Sequence, residues 1–355
     1  VSQPIQTQIL PVVYQPDDSS YQQAIQIASK AIQAGQLVAF PTETVYGLGA
    51  NALSAEAIAR IYIAKQRPTS DPVIAHIAHI DQLQQLATNI PSIAYDLAEA
   101  FWAGALTMVL KRGENVPANI ATGLETVAVR FPSHPIAHDL IKASGVPIAA
   151  PSANTFTRPS ATTPEHVLED LDGRIEFILA GGSTTIGLES TVIDLTASRP
   201  RILRPGGITV DEILRVIPDA DYSPQFTAKE TPTSAPGQML KHYSPRAQVI
   251  LYHGERNATL EAMYQTALEQ IAQGKTVGLL ITQEDQARLA GIGVPYLLGG
   301  QTDLETISRN LFAGLRYLDS QNVDLILAHD FGDSGLGVAL WDRLHRAAEG
   351  NIIYL

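Results

Sequence analysis

The apolar residues of this chain come in short runs of strand length, with helix-period stretches between them, and that spacing dictates an α/β fold. Runs at 37–40, 72–77, 106–110, 126–131, 147–150, 177–179, 192–195 and 202–203 read as strands. Residues 21–34 read as a helix, with Ile25, Ala28 and Ile32 on one face and Gly35 where a C-terminal cap belongs. Ser54 is a natural N-cap for a second helix bearing Ala57, Ile58, Ile61 and Tyr62. Further helical patterns fall at 93–102, 136–144 and 164–171. The irregular order of strands and helices predicts a twisted, open, partly antiparallel sheet.

The character changes at 218–245, where Pro, Ser and Thr accumulate without periodicity, the mark of a linker. Beyond it, strands at 248–252, 276–281 and 323–328 alternate with helices at 260–272 and 340–348. Leu304, Ile307, Leu311, Leu315 and Leu318 stripe one face of another helix. This predicts a small parallel sheet with helices on both faces. The 355 residues suffice for two domains of ordinary size. The expected division is 1–216, a linker at 217–246, and 247–355.

Lys plus Arg number 24 against 36 Asp plus Glu, a formal charge of −12. So acidic a chain is a poor candidate for general nucleic-acid binding, although a few converging basic residues can still hold an anion. The absence of cysteine excludes disulfides, thiolate metal sites and a Cys nucleophile. No apolar run reaches the roughly 18 residues of a membrane span. Residues 1–16 lack a basic segment followed by an apolar core, so no signal peptide is read there. A cytoplasmic protein without membrane association is expected.

The segment 36–50 is the first candidate for an active site. Pro41 ends the ladder of the strand before it. Thr42, Glu43, Thr44 and Tyr46 then crowd ahead of Gly47 and Gly49. Such polar groups beside a buried strand are costly unless they hold something, and open α/β sheets bind ligands at the carboxyl ends of strands. Four other segments pair a short apolar run with polar residues: Lys65-Gln-Arg-Pro68, Pro151-Ser-Ala-Asn154, Gly187-Leu-Glu-Ser-Thr191 and Ile202-Leu-Arg-Pro-Gly-Gly207. Along 126–131, Thr126 and Arg130 share a face, and an Arg within a strand suits a carboxylate or phosphate.

Each segment also has a plain structural reading. Lys65 and Arg67 fit a solvated helix end, Ser152 and Asn154 a turn, and Gly206-Gly207 a loop. Glu189 fits a capping or surface carboxylate. His134 and His138 lack the Glu of a metalloprotease helix. His76 and His79, in a strand-like run at 73–80, are expected to face opposite sides. Gly47-Leu-Gly-Ala-Asn-Ala52 matches a dinucleotide fingerprint only formally, since no acidic residue ends a second strand about 20 residues on. No Gly-Lys-Ser/Thr loop exists.

Taken jointly, Phe40-Pro-Thr-Glu-Thr-Val-Tyr-Gly-Leu-Gly-Ala50, Lys65-Gln-Arg-Pro68, Thr126-Val-Ala-Val-Arg-Phe-Pro132, Ala150-Pro-Ser-Ala-Asn154, Gly187-Leu-Glu-Ser-Thr191 and Leu203-Arg-Pro-Gly-Gly207 form a specific set. With Ala235-Pro-Gly-Gln-Met-Leu-Lys-His-Tyr-Ser-Pro245 and Trp341-Asp-Arg-Leu-His-Arg-Ala-Ala348, nearly the whole chain resembles the threonylcarbamoyl-AMP synthases of the YrdC-like family, in their longer two-domain form. The resemblance implies an open mixed sheet around a basic cavity, a Rossmann-like second domain, and a linker over the cavity mouth. It implies an enzyme that condenses L-threonine, bicarbonate and ATP into threonylcarbamoyl-adenylate and pyrophosphate. Partner proteins would then pass the threonylcarbamoyl group to adenosine 37 of tRNA.

Carried over by motif, Lys65, Arg67, Ser152 and Asn154 would form the catalytic tetrad for nucleotide and carbamate. Thr44, His76, Arg130 and Ser190 would hold threonine. Arg67, Asp71, Thr126, Ser152, Ser160 and Arg204 would contact ATP, with Tyr243 closing over it from the linker and Mg²⁺ arriving on the phosphates, not in a protein site. Stable nucleic-acid binding is not expected. Two departures stand out. Asp71 replaces the family's usual Asn, placing a carboxylate near phosphates. Trp102-Ala-Gly-Ala-Leu-Thr107 lacks the family's two prolines, which should loosen that loop. The alternatives are a double-stranded RNA-binding or maturation factor and a dinucleotide oxidoreductase.

Overall fold

The computed structural model describes residues 5–223 and 242–355. Most of the expected linker, 224–241, with Lys241 and the run Ala235 to Leu240, therefore lies outside the described residues. The chain separates into two compact units. The first comprises Val1–Phe156, Ser160–Thr185 and Glu189–Gln238, the second Thr157–Pro159, Ile186–Leu188 and Met239–Leu355.

The first unit holds β1 (Gln8–Pro11), α1 (Ser19–Gln33), β2 (Val38–Phe40), β3 (Gly47–Asn51), α2 (Ala55–Lys65) and β4 (Ile74–His76). It continues with α3 (Leu83–Leu86), α4 (Ser92–Phe101), β5 (Leu106–Lys111), β6 (Thr126–Arg130), α5 (Pro135–Ser144) and β7 (Ile148–Ala149). It closes with α6 (Pro164–Leu171), β8 (Phe177–Ala180), β9 (Thr191–Asp194), β10 (Arg201–Arg204), α7 (Val210–Val216) and β11 (Asp221–Tyr222). The strands form one mixed sheet in the order β1-β8-β2-β3-β7-β4-β6-β5-β9-β10-β11. The expected open mixed sheet is thus present.

Local signals explain several boundaries. Asp18 caps α1 by accepting from the Ser20 and Tyr21 amides, Ser54 caps α2 by accepting from Ala57, and Thr163 caps α6 ahead of Pro164. Helix α2 ends on Gln66 in the left-handed region, at φ 55°.

Strand β3 is the main departure from expectation. Residues 47–51 are not among the runs read as strands from the sequence, yet they pair antiparallel with β2, Gly47 opposite Phe40 and Gly49 opposite Val38. The glycines serve packing. A Cβ on Gly49 would lie 2.8 Å from the Phe40 ring and 2.9 Å from Ile148, and one on Gly47 3.2 Å from Ala150. A fingerprint that is itself a strand cannot turn a phosphate onto a helix N-terminus, so the dinucleotide alternative loses its motif. The run at 73–80 is also shorter than expected. It stops at His76, and His79 instead caps a 3₁₀ turn at Ile80–Gln82, so the two histidines do not share a strand.

One face of the sheet carries Ala39, Leu48, Ala50, Ala75, Met108, Val127, Val129 and Ile193, packed with α2, α4 and α6 side chains into the larger core. The opposite face is covered by α1 and α5 only around Val38, Phe40, Ile148, Ala150 and Leu179. The remainder of that second face carries the polar cluster described below.

The second unit holds β12 (Gln248–His253), α8 (Arg256–Ala272), β13 (Val277–Ile281), β14 (Val294–Leu297), α9 (Leu304–Ser320), β15 (Leu325–His329), α10 (Leu336–Ala347) and β16 (Ile352–Tyr354). All five strands are parallel, in the order β14-β13-β15-β12-β16. This is the expected smaller parallel sheet. Strands β14 and β16 carry no buried alternation, which is why the sequence pattern did not mark them.

Candidate active site

Paired residues on neighbouring strands share a face. By register, His76 pairs with Arg130, Arg130 with Thr107, Thr107 with Val192 and Val192 with Arg204. One row of side chains therefore crosses five strands, and three of its members are a histidine and two arginines. The next row along the same face is apolar: Ile74, Val109 and Ala128 pack with Val192 and Leu203 in a small buried cluster.

Arg130 is the centre of the first row and is 4% exposed. Its guanidinium donates to Thr44 Oγ1 at 2.8 Å and to the Gly104 carbonyl at 3.2 Å. It forms an ion pair with Glu43 Oε1 at 2.7 Å. Burial works to raise the Glu43 pKa, but the charge and hydrogen bond of Arg130 outweigh it and hold the carboxyl below its ordinary value. Thr42 shapes the turn. Its hydroxyl donates to the Val45 carbonyl at 2.7 Å, lies 2.8 Å from Thr44 Oγ1, and accepts from the Thr44 and Val45 amides. Strands β2 and β4 run in opposite directions, because three antiparallel pairings separate them. The turn after β2 thus reaches Arg130 by folding over the sheet face, and the site is not a set of strand carboxyl ends.

His76 is buried beside Arg130. Burial, helped by the Arg130 charge, pushes its pKa down to about 3, so the ring is neutral near pH 7. Its Nδ1 lies 3.2 Å from the Ile74 carbonyl. Across the row, Ser190 Oγ lies 2.7 Å from Thr107 Oγ1. Arg204 donates to the Ser190 carbonyl at 2.8 Å and reaches Ser190 Oγ at 3.3 Å. Ser160 donates to the Glu189 carboxylate. Gly206 is not merely a loop residue: a Cβ there would meet the Glu189 carbonyl at 2.2 Å. The residues expected to hold threonine, Thr44, His76, Arg130 and Ser190, thus gather along this row, Thr44 bonded to Arg130 and Ser190 to Thr107 and Arg204.

The expected tetrad assembles differently. Lys65 is 1% exposed, and its ammonium donates to the carbonyls of Ser152 at 2.6 Å and Asn154 at 2.5 Å. It fastens the turn that presents these two residues. Arg67 pairs with Asp71 Oδ2 at 2.9 Å, both side chains being almost wholly buried. The same guanidinium donates to the carbonyls of Asp71 and Pro72 and stands 5.9 Å over the Phe156 ring. Asp71 is thus turned onto Arg67. Ile74 pairs with Ala128, so Thr126, two residues earlier, is level with Pro72. Thr126 belongs to the Arg67 end of the face, about 13 Å from Arg130 at 3.3 Å per residue. Tyr243 belongs to the second unit, where it is fully buried. Its ring centroid lies 5.2 Å from that of Phe312 and 5.2 Å from the Arg343 guanidinium carbon.

Glu43, Thr42 and Thr107 had no assigned role from sequence, and Glu189, which fitted a capping or surface carboxylate, is buried and accepts from Ser160. Thr107 was visible as the lone hydroxyl in an apolar strand, but its partners Ser190 and Arg130 are remote along the chain. The loop lacking two prolines is tethered nonetheless: Gly104 donates to the Phe131 carbonyl at 2.7 Å, and Trp102 Nε1 to the Leu106 carbonyl at 2.8 Å. Among the described residues no helix is long and apolar enough to cross a membrane.

Family models match in two places. One described as "Telomere recombination", for the Sua5, YciO and YrdC proteins, covers residues 30–206. Another, "Threonylcarbamoyl-AMP synthase, C-terminal domain", covers residues 208–349. A threonylcarbamoyl-AMP synthase of Pyrococcus abyssi is 48% identical over 330 residues, covering 93% of this chain and 95% of that protein. Its Bacillus subtilis counterpart is 43% identical over 329 residues, covering 92% and 93%. The crystal structure of P. abyssi Sua5 complexed with L-threonine superposes with a TM-score of 0.92 at 44% identity, covering 98% of this chain and 99% of that one.

Proposed function

The chain belongs to the threonylcarbamoyl-AMP synthase family, and on that premise we propose that it condenses L-threonine, bicarbonate and ATP into threonylcarbamoyl-adenylate, releasing pyrophosphate. The reaction class is nucleotidyl transfer, and the product serves tRNA modification through proteins that pass on the threonylcarbamoyl group. The observation that carries this reading is the buried Arg130, set among Thr44, Thr107 and Ser190. A fork of N–H donors ringed by hydroxyls suits a small amino acid bearing a carboxylate and a hydroxyl.

Bicarbonate takes up a proton and loses water to give carbon dioxide, and threonine's amine adds to it, giving the N-carbamate and returning a proton. A carbamate oxygen then attacks the α-phosphorus of ATP. The new bond is the mixed anhydride, and the bond that breaks frees pyrophosphate. No protein nucleophile is required. The protein contributes placement and charge: Arg130 and His76 for threonine, Arg67, Lys65 and Arg204 for the negative charge gathering at phosphorus. Ser152, Asn154, Ser160 and Thr126 would line the nucleotide, and the apolar row Ile74, Val109 and Ala128 separates the two ends. Magnesium enters with ATP, on its phosphates. The pairing of Asp71 with Arg67 and of Glu43 with Arg130 supports that placement.

Pyrophosphate release by purified protein with Mg²⁺ and ATP tests the reading. Release should depend on both threonine and bicarbonate. Release independent of either one would overturn it. Tight binding of duplex RNA without turnover would favour the RNA-factor alternative, against which the charge of −12 stands.

A further inference from the structure

The parallel sheet of the second unit carries a crevice that the reaction above does not use. Strands β12 and β15 lie side by side, yet their chains leave in opposite directions. From β12 the chain passes through α8 to β13 on one side, and from β15 through α10 to β16 on the other. Open α/β sheets take ligands at such switch points, outside the carboxyl ends of the strands. A cavity of about 250 Å³ occupies that place, lined among others by Arg256, Thr259, Gln301, His329, Phe331 and Asp330, whose carboxylate is paired with His253 at 2.8 Å.

Its polar groups are held in advance. Asp285, fully buried, accepts from Arg256 at 2.6 Å and from Thr282 Oγ1 at 2.6 Å, and lies 2.9 Å from His329 Nε2. The other ring nitrogen of His329 is 2.7 Å from the Asp330 carbonyl. One edge of the Arg256 guanidinium is thereby pinned while its side chain stays 36% exposed. Thr259, in the first turn of α8, is 3% exposed, and its hydroxyl has no hydrogen-bond partner. Leaving such a group unanswered is costly, because its desolvation is not repaid. A buried hydroxyl without a partner, on the wall of a crevice beside a pinned guanidinium, points to a ligand that answers both.

We propose that this crevice binds a small phosphate monoester of nucleoside-monophosphate type. Arg256 and Thr259 take the phosphate, Gln301 adds an amide, and the Phe331 ring offers a face for the base.

The test uses the full chain with methyl-labelled threonine, observed by NMR, and titrates AMP and inorganic phosphate. The Thr259 methyl signal reports this crevice and not the first unit. AMP should shift it saturably. Arg256→Gln should weaken that response about tenfold or more, as loss of a charge-assisted hydrogen bond implies. In the isosteric Thr259→Val, crystals soaked with AMP should show reduced occupancy of the crevice. A Thr259 signal unmoved by both probes, or a shift that survives Arg256→Gln unchanged, overturns the proposal.

Discussion

Arg130 and Glu43 form an ion pair at 2.7 Å with both residues more than nine-tenths buried, Arg130 from the row of side chains that crosses the sheet face and Glu43 from the turn after β2. The carboxylate holds the guanidinium in place, and it is also the anion that a substrate carboxylate must share it with. Arg130→Ala should therefore weaken threonine binding by about 100-fold, the upper range for a hydrogen bond to a charged group, and leave ATP binding within a few-fold. Calorimetry with each ligand separately checks this, and equal losses for both would contradict the role.

Glu43→Gln keeps the shape but removes the charge that compensates Arg130. Removing one partner of a buried pair costs about 3–5 kcal/mol at most, less where an amide oxygen still accepts. The folded-state pKa of Glu43 is depressed, so the unfolded chain binds the extra proton. The pair's stability is full above the ordinary carboxyl value and is lost as pH falls through the lower folded value. Thermal melts should show wild type losing its advantage over Glu43→Gln only in that acid window. A constant difference down to the most acid melts would refute it.

His76 adds a second acid dependence at higher pH. Its folded pKa is about 3, against an ordinary value near 6.5. Between these limits the unfolded state binds more protons, so stability is full above about 6.5 and falls progressively toward pH 3. His76→Asn should flatten the melting curve's pH dependence there. Near pH 7 the neutral ring should give no titration of threonine affinity, which a binding series from pH 6 to 8 measures.

Asp71→Asn separates two effects of the Arg67 pair. The Asp71 carboxylate offsets the Arg67 charge at 2.9 Å. Asn keeps an acceptor but not the charge, so the fold should lose about 1–3 kcal/mol while ATP binds several-fold more tightly. Denaturant titration and nucleotide binding read the two arms. Weaker ATP binding would mean that Asp71 itself meets the nucleotide or its metal.

Gly49→Ala tests the glycines of β3. The added methyl would lie 2.8 Å from the Phe40 ring and 3.1 Å from the Val38 carbonyl. Overpacking of this kind costs about 1–3 kcal/mol. A variant as stable as wild type would refute the packing role of Gly49.

Period and capping made much of the local structure legible from the sequence. Ser54 before α2, Thr163-Pro164 at the start of α6, and the alternation along β6 rest on residues within a few positions of each other. The motif segments likewise named most of the polar residues that converge on the sheet face. What the sequence did not determine depends on neighbours far along the chain. Strand β3 was hidden because its glycines answer to the rings and backbone of β2 and β7. Glu43 and Thr107 gained partners only when strand register carried Arg130 and Ser190 to them. Lys65, a cation suited to a phosphate, also fastens two carbonyls, because burial makes an ammonium seek the nearest acceptors. Residue type set which chemistry was possible, and non-local pairing in the folded sheet decided which atoms meet.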